Sequence, residues 1–279
     1  RAVSTEMDSE RIEIIPVPGT TLATHESEAL LPHLNARYAV AENTTAFANF
    51  AMGYKTGGFS AFTGNAVLAP YDAEYTTAYE AGVTHTTADG RYAVTVRAYF
   101  YDIDDYQIER SFATAPNGAD DYLVVNADSA ESIGGELELS WRPVDGLDLS
   151  AAYGLTDTTL RNFTDPYGGT VFDGNRVPFV PSYDLHLRAH YQHTSGFYIG
   201  ATVTTLGKTY YTEAEDPTFA QDTYTLFDAR IGYATDNYRF SISGRNLTDE
   251  GYYSAITPGT GHGTPGAPRT WQAELTLLF

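Results

Sequence analysis

Through much of the chain, apolar and polar side chains alternate one for one. In "YDLHLRAHYQ", Tyr183, Leu185, Leu187, Ala189 and Tyr191 share one side, and Asp184, His186, Arg188, His190 and Gln192 share the other. A period of two marks a β-strand, because successive strand side chains point to opposite faces. The same alternation sets Tyr238, Phe240 and Ile242 against Arg239, Ser241, Ser243 and Arg245, and Phe227, Ala229, Ile231 and Tyr233 against Asp228 and Arg230. It recurs in Leu137, Leu139 and Trp141 against Glu136, Glu138, Ser140 and Arg142. The last residues follow it too: Trp271, Ala273, Leu275, Leu277 and Phe279 oppose Gln272, Glu274 and Thr276. Further strands are predicted over 31–40, 45–56, 73–87, 91–111, 147–159 and 196–211. The total is about eleven, with a twelfth near 10–17, and no stretch shows helical periodicity.

The connections alternate in length. Short turns fall at 41–44, 88–90, 144–146, 193–196 and 234–237, with the Gly, Asn and Asp content of tight hairpins. Between them lie longer segments near 57–72, 112–120, 160–177, 212–221 and 248–267, rich in Gly, Pro and aromatics. One end of the sheet is trimmed and the other elaborated, as in transmembrane β-barrels with short periplasmic turns and long outer loops. Aromatics gather near strand ends, at Tyr38, Phe47, Tyr99, Tyr101, Trp141, Tyr191, Phe197 and Trp271, where headgroup-level girdles are expected. The expected fold is therefore all-β: an antiparallel transmembrane β-barrel portion of about 11–12 strands. Counted back from a periplasmic C-terminus, every short turn falls inside and every long loop outside. Phe279 then lies at the inner membrane interface.

Composition narrows the function. The chain carries 16 Lys plus Arg against 36 Asp plus Glu, a net charge of −20. Such a balance excludes nucleic acid as a partner, since that demands a basic face. Cysteine is absent, so no disulfide scaffold exists. No run approaches the roughly 20 apolar residues of a spanning helix, which leaves a barrel untouched because alternation averages its lipid face away. The opening "RAVSTEMDSE" has neither an initiator Met nor the apolar core of a signal peptide, and is read as the start of a mature portion or fragment.

Particular stretches then carry a family likeness. "GYKTGGF" (53–59) followed by "YEAG" (79–82), "FYDIDDYQI" (100–108), "GGELELSWRPVDGLDLSAAYG" (134–154), "GRNLTDEGYY" (244–253) and "PGAPRTW" (265–271) with the final Phe279 stand in one order. Together they resemble the C-terminal half of the barrel of TonB-dependent outer-membrane receptors of the iron-complex, or siderophore, type. The resemblance covers about residues 31–279, with 1–30 read as a preceding strand and outer loop. It implies a bacterial outer-membrane location, half of a 22-stranded barrel, and active uptake of a scarce ligand such as a ferric siderophore or similar metal chelate. It also implies a set of partners. These are outer-membrane lipid and lipopolysaccharide, the rest of the barrel and a plug domain on the same or another chain, the TonB complex acting through that plug, and the barrel-assembly machinery. That machinery would read Trp271 and Phe279 as the assembly signal. No plug and no energy-coupling box are recognised in this sequence. A passive 12-stranded porin and a surface-binding outer-membrane protein are the alternatives.

Two groups of residues are the candidates for function. Arg97, Glu136, Glu138, Arg142, Asp184, His186, Arg188, His190, Asp228, Arg230 and Arg245 are expected on the inward, plug-facing wall, where polar residues are ordinary. His186 and His190 lie about 13 Å apart along a strand, too far for one metal ion. No metal site, cofactor or catalytic group is assigned. "DIDDYQIE" lacks the turn Gly of a calcium loop and reads as strand, and the His25–Ser27 pair has no third orienting group. For ligand capture the outer loops are the better candidates: Tyr210, Tyr211, Glu213, Glu215, Asp216 and Phe219 in one, Tyr252, Tyr253 and His262 in another, and Phe163, Tyr167 and Phe172 in a third. Rings beside mobile glycines suit a flat or greasy solute.

Overall fold

The computed structural model describes residues 2–13, 19–60, 63, 67–112, 121–257 and 262–278, except the side chains of 2–23, 25, 27, 110–112 and 121. Eleven strands form one antiparallel sheet. They are β1 (His33–Ala41), β2 (Thr44–Lys55), β3 (Glu74–Thr86), β4 (Tyr92–Asp104), β5 (Ser129–Trp141), β6 (Leu147–Arg161), β7 (Tyr183–Gln192), β8 (Phe197–Leu206), β9 (Tyr224–Ala234), β10 (Tyr238–Arg245) and β11 (Thr270–Leu277). Each pairs with its sequence neighbours, so the sheet is a pure meander with β1 and β11 at its edges. Ahead of it, Ala2–Glu13 and Gly19–Leu30 make a separate hairpin. The strand expected near 10–17 is therefore displaced toward the N-terminus and stands outside the sheet, and residues 14–18 lie outside the described ones.

Registry explains the alternation. Leu34, Phe50, Tyr79, Phe100 and Ile133 pair across five strands on one face, and Tyr191, Ile199, Ile231, Ile242 and Ala273 do so across the other end of the same face. Many of the large members are widely exposed, among them Ile133, Val96, Leu187, Ile231, Leu275 and Leu277. The opposite face carries Asn35, Glu80, Arg97, Glu136, His190 and Arg230. This is an outside-in pattern, with the apolar face turned to the surroundings. A sheet in water would bury that face, because each large apolar side chain left in water forgoes about 1.5–3 kcal/mol.

On the polar face, three rings lie flat across a glycine of the neighbouring strand: Phe47 over Gly82, Tyr99 over Gly134 and Tyr198 over Gly232. A Cβ at Gly134 would stand 2.3 Å from the Tyr99 ring, and one at Gly232 2.3 Å from that of Tyr198. The glycines thus give ring and strand a close fit that pins registry.

The five short turns fall where the spacing places them. Gly146 (φ +82°) and Gly196 (φ +96°) each occupy the left-handed region, and their carbonyls accept from Gln192 N (2.7 Å) and Ala234 N (2.9 Å) of the next turn. Only glycine fits, since a Cβ at either would meet a backbone oxygen at 2.2 Å.

The long connections differ from expectation. Two strands expected to be continuous are cut. β4 stops at Asp104, Asp105 turns at φ +55°, and Gln107–Phe112 then pairs with Asp121–Asn126 instead of extending the sheet. β8 likewise ends at Leu206, while Thr209–Tyr210 pairs with Ala220–Gln221. Every long connection carries such a short hairpin, the others being Gly58–Phe59 with Pro70–Tyr71, Phe163–Thr164 with Val171–Phe172, and Tyr253–Thr257 with His262–Pro265. The apolar core of the described residues sits at the loop end of the sheet, where the ends of β5 and β6 meet the long connections. Ile108, Leu123, Ala127, Ala130, Leu160, Phe163 and Val177 are packed together and almost fully buried.

Candidate functional site

The elaborated rim is built as a chain of interlocked loops. Gln107 is buried; its side-chain amide donates to Thr56 O (3.0 Å) and Asp72 O (2.9 Å), and its backbone N–H donates to a Glu74 carboxylate oxygen (2.9 Å). Asn126 donates to Asp72 O and Asp105 O, and accepts from Asp72 N. These bonds tie the first two loops together. The third is fastened to the fourth by Asn175 Nδ2 donating to Glu213 O (2.7 Å), Arg176 N to a Glu215 carboxylate oxygen (2.8 Å) and Phe179 N to Tyr210 O (2.8 Å). The fourth is fastened to the fifth by Tyr253 N donating to Gln221 Oε1 (2.8 Å) and by Tyr252 stacking on Tyr224 at 4.3 Å. Loops with this many cross-bonds form a framework among the described loop residues.

Within that framework the ligand candidates divide. Phe163 is 1% exposed and belongs to the loop core, stacked on Phe172 at 5.9 Å. Tyr211 is buried against Phe179 and directs its hydroxyl to Tyr253 O, and Glu213 is buried as well. These three are packed within the rim in this chain and are not exposed on its surface. Glu215 accepts from Arg176, and Asp216 caps the 3-10 turn Pro217–Phe219. Tyr167, Tyr210, Phe219 and Tyr252 are half-buried, whereas Tyr253 and His262 are exposed. The Lys208 ammonium lies 4.5 Å from the Tyr210 ring centre, and its contact with Tyr210 raises its pKa. Burial, reinforced by Glu74 and Glu213, pushes the phenol of Tyr106 up to about 12. The His25–Ser27 pair lies among side chains outside the described ones, as does Phe279.

Ten of the eleven wall candidates stand on one face of the sheet by registry, and Arg142 follows the last residue of β5. Arg97 meets Glu136 and Glu138, Arg142 meets Asp148 at 2.8 Å, Asp184 meets His186 at 3.7 Å and Arg230 meets Glu274 at 3.1 Å. Among the described residues, no group of three or more His, Cys, Asp or Glu could hold a metal ion. Trp271 stands on the other face, 67% exposed, with its ring edge against Gly244.

Residues that alternation does not single out complete the picture. Asn246, 3% exposed at φ +48°, donates to Glu250 O and Ala267 O, and accepts from Glu250 N. Its neighbour Asp249 accepts from Arg269 N at 2.9 Å. Together they clasp both ends of the last loop where it leaves the wall. Asn246 stands in "GRNLTDEGYY" and Gln107 in "FYDIDDYQI", so both were visible as motif letters without a role.

Comparison with known proteins accords with this geometry. The family model described as "TonB dependent receptor-like, beta-barrel" matches residues 13–247. A pesticin receptor of Yersinia enterocolitica is 28% identical over 81% of this chain and 32% of its own length. A metal-pseudopaline receptor of Pseudomonas aeruginosa is 26% identical over 93% of this chain and 35% of its own. The ferric yersiniabactin uptake receptor of Yersinia pestis superposes with a TM-score of 0.81 at 22% identity, covering 98% of this chain and 41% of that structure. The chain thus spans about a third of the length of the curated relatives it matches.

Proposed function

The chain belongs to the TonB-dependent receptor β-barrel family, and from that premise we propose that it forms the C-terminal wall and outer loops of an outer-membrane receptor for a ferric siderophore or similar metal chelate. Members of this family are transport receptors of the outer membrane, not enzymes. The observation that carries the reading is a sheet with one apolar face turned outward, crowned at one end by a cross-bonded polar and aromatic rim. In this reading the apolar face meets lipid, the rim frames the mouth where a chelate is captured, and the polar face lines the interior. Strands beyond β1 and β11 complete the barrel, because unpaired backbone groups in lipid cost several kcal/mol each. A plug domain occupies the interior and transmits the pull of the TonB complex. The barrel-assembly machinery receives the last strand at Trp271 and Phe279. The metal-pseudopaline and ferric yersiniabactin relatives support a metal chelate as the cargo class.

The test is uptake of labelled ferric and other metal chelates by cells that contain or lack the whole receptor. Loss of one chelate's energy-dependent uptake on deletion is expected. Unchanged uptake of every chelate, with ion conduction by the purified protein, would assign a passive pore instead.

A further inference from the structure

One hollow on the polar face, of about 700 Å³, gathers Arg188, Arg230, Arg239 and Arg245. That places four of the chain's 16 basic residues at one spot in a protein of net charge −20. Two carboxylates line it as well, and both are engaged: Glu274 with Arg230 at 3.1 Å, and Asp228 with the Asn246 N–H at 2.8 Å. Among the described residues Arg188, Arg239 and Arg245 make no ion pair, although acidic side chains outnumber basic ones 36 to 16. Beneath them lies Tyr198, 7% exposed, whose hydroxyl has no hydrogen-bond partner. The Arg230 guanidinium stands 5.9 Å from that ring's centre. The hollow thus presents three exposed guanidiniums without a carboxylate above a buried phenol without an acceptor. A buried donor left without an acceptor is costly, and guanidinium forks match carboxylates in a planar, two-bond geometry.

From this arrangement we infer that the hollow is a docking site for an acidic polypeptide segment, which sets Asp or Glu carboxylates on Arg188, Arg239 and Arg245. The inference rests on the proposed reading that a folded domain occupies the concave side. Span decides between a segment and a small anion. Arg239 and Arg245 are six residues apart on β10, about 20 Å along an extended strand, beyond the reach of one small solute. The hollow runs from Gln192 and Ala234, at the short-turn ends of β7 and β9, up to Arg188 and to Arg245, the last residue of β10 before the final loop.

The test uses the whole receptor in outer membranes, with a photo-crosslinking residue in place of Ser243 on the hollow wall and another in place of Thr204, outside it on the same face. Mass spectrometry then identifies the attached peptide. The expected result is attachment at Ser243 to an Asp/Glu-rich segment, falling at least about tenfold in yield, the worth of a single charge-assisted contact, when Arg239 and Arg245 are both changed to Glu. Reversing the charge of the attached acidic residues restores it. Arg239→Gln with Arg245→Gln gives an intermediate loss and covers the case in which the Glu pair fails to assemble. Attachment at Ser243 to a segment without acidic residues overturns the inference. So does a yield indifferent to the arginines, or attachment abolished by free citrate, which would assign the hollow to a solute. Absence of polypeptide at both positions overturns the proposed interior domain itself.

Discussion

Asn246 shows how much of the rim rests on single polar side chains. Its buried amide satisfies two carbonyls and one N–H across the mouth of the last loop, and its positive φ is one that Asn tolerates and β-branched residues do not. Asn246→Ala leaves those groups without partners and should cost on the order of 3 kcal/mol. Thermal unfolding of the detergent-solubilised protein should show that loss, with faster proteolysis inside 246–269; an unchanged midpoint would mean the loop is held elsewhere. Tyr106 gives a pH-dependent counterpart. An unfolded phenol titrates near about 10, whereas in the fold burial holds this one neutral up to about 12. Because the folded value is the higher one, the stabilisation is whole below about pH 10 and drains away as pH rises toward about 12, on the order of 3 kcal/mol in all. Tyr106→Phe should therefore flatten the alkaline fall of the melting temperature. If wild type and variant fall in parallel, Tyr106 is not the responsible group.

Strand against strand, the design is a matter of close approach. A Cβ at Gly134 would stand 2.3 Å from the Tyr99 ring and 2.4 Å from Leu155 O. Gly134→Ala forces two strand contacts apart and should cost about 1–3 kcal/mol, read as a lower temperature of loss of the compact band on unheated gels. Truncating Tyr99 to Ala in the same protein should not rescue it, because the Leu155 carbonyl remains; a full rescue would show that the ring alone sets the spacing. Strands such as β7 and β9 were legible in the sequence because a half-apolar sheet imposes a period of two on every residue it contains. The loops were not. Leu123, Leu160 and Phe163 look like any apolar residues in strand or loop, and only distant segments folding over one another make them a core. The break at Asp105 does leave a trace, because in "DIDDYQIE" the alternation slips by one residue between Ile103 and Tyr106, across the Asp that turns at φ +55°. Tyr211 and Glu213 read as exposed capture groups because their burial is supplied by a different loop.

For the molecule as a whole, everything depends on which solvent the apolar face meets. Leu187 lies mid-strand in β7, 40% exposed, registered between Ala151 of β6 and Val203 of β8. If that face meets lipid, Leu187→Arg sets a guanidinium in hydrocarbon and should cost about 2–4 kcal/mol if the site lies near the bilayer midplane, falling toward zero near the interfaces. If it meets water, the same change removes an exposed apolar side chain and should be neutral or mildly favourable. His186→Arg, one residue away on the polar face, should be tolerated in either case, because that face already carries Arg188 and Arg230. The pair of variants isolates the solvent from the strand. Both are made in the whole receptor and followed by folding into lipid vesicles and by urea unfolding there. Failure of the Leu187 variant with survival of the His186 variant is the result expected of a membrane wall. Equal survival would place the apolar belt against protein or water, and with it would go the barrel reading on which uptake rests.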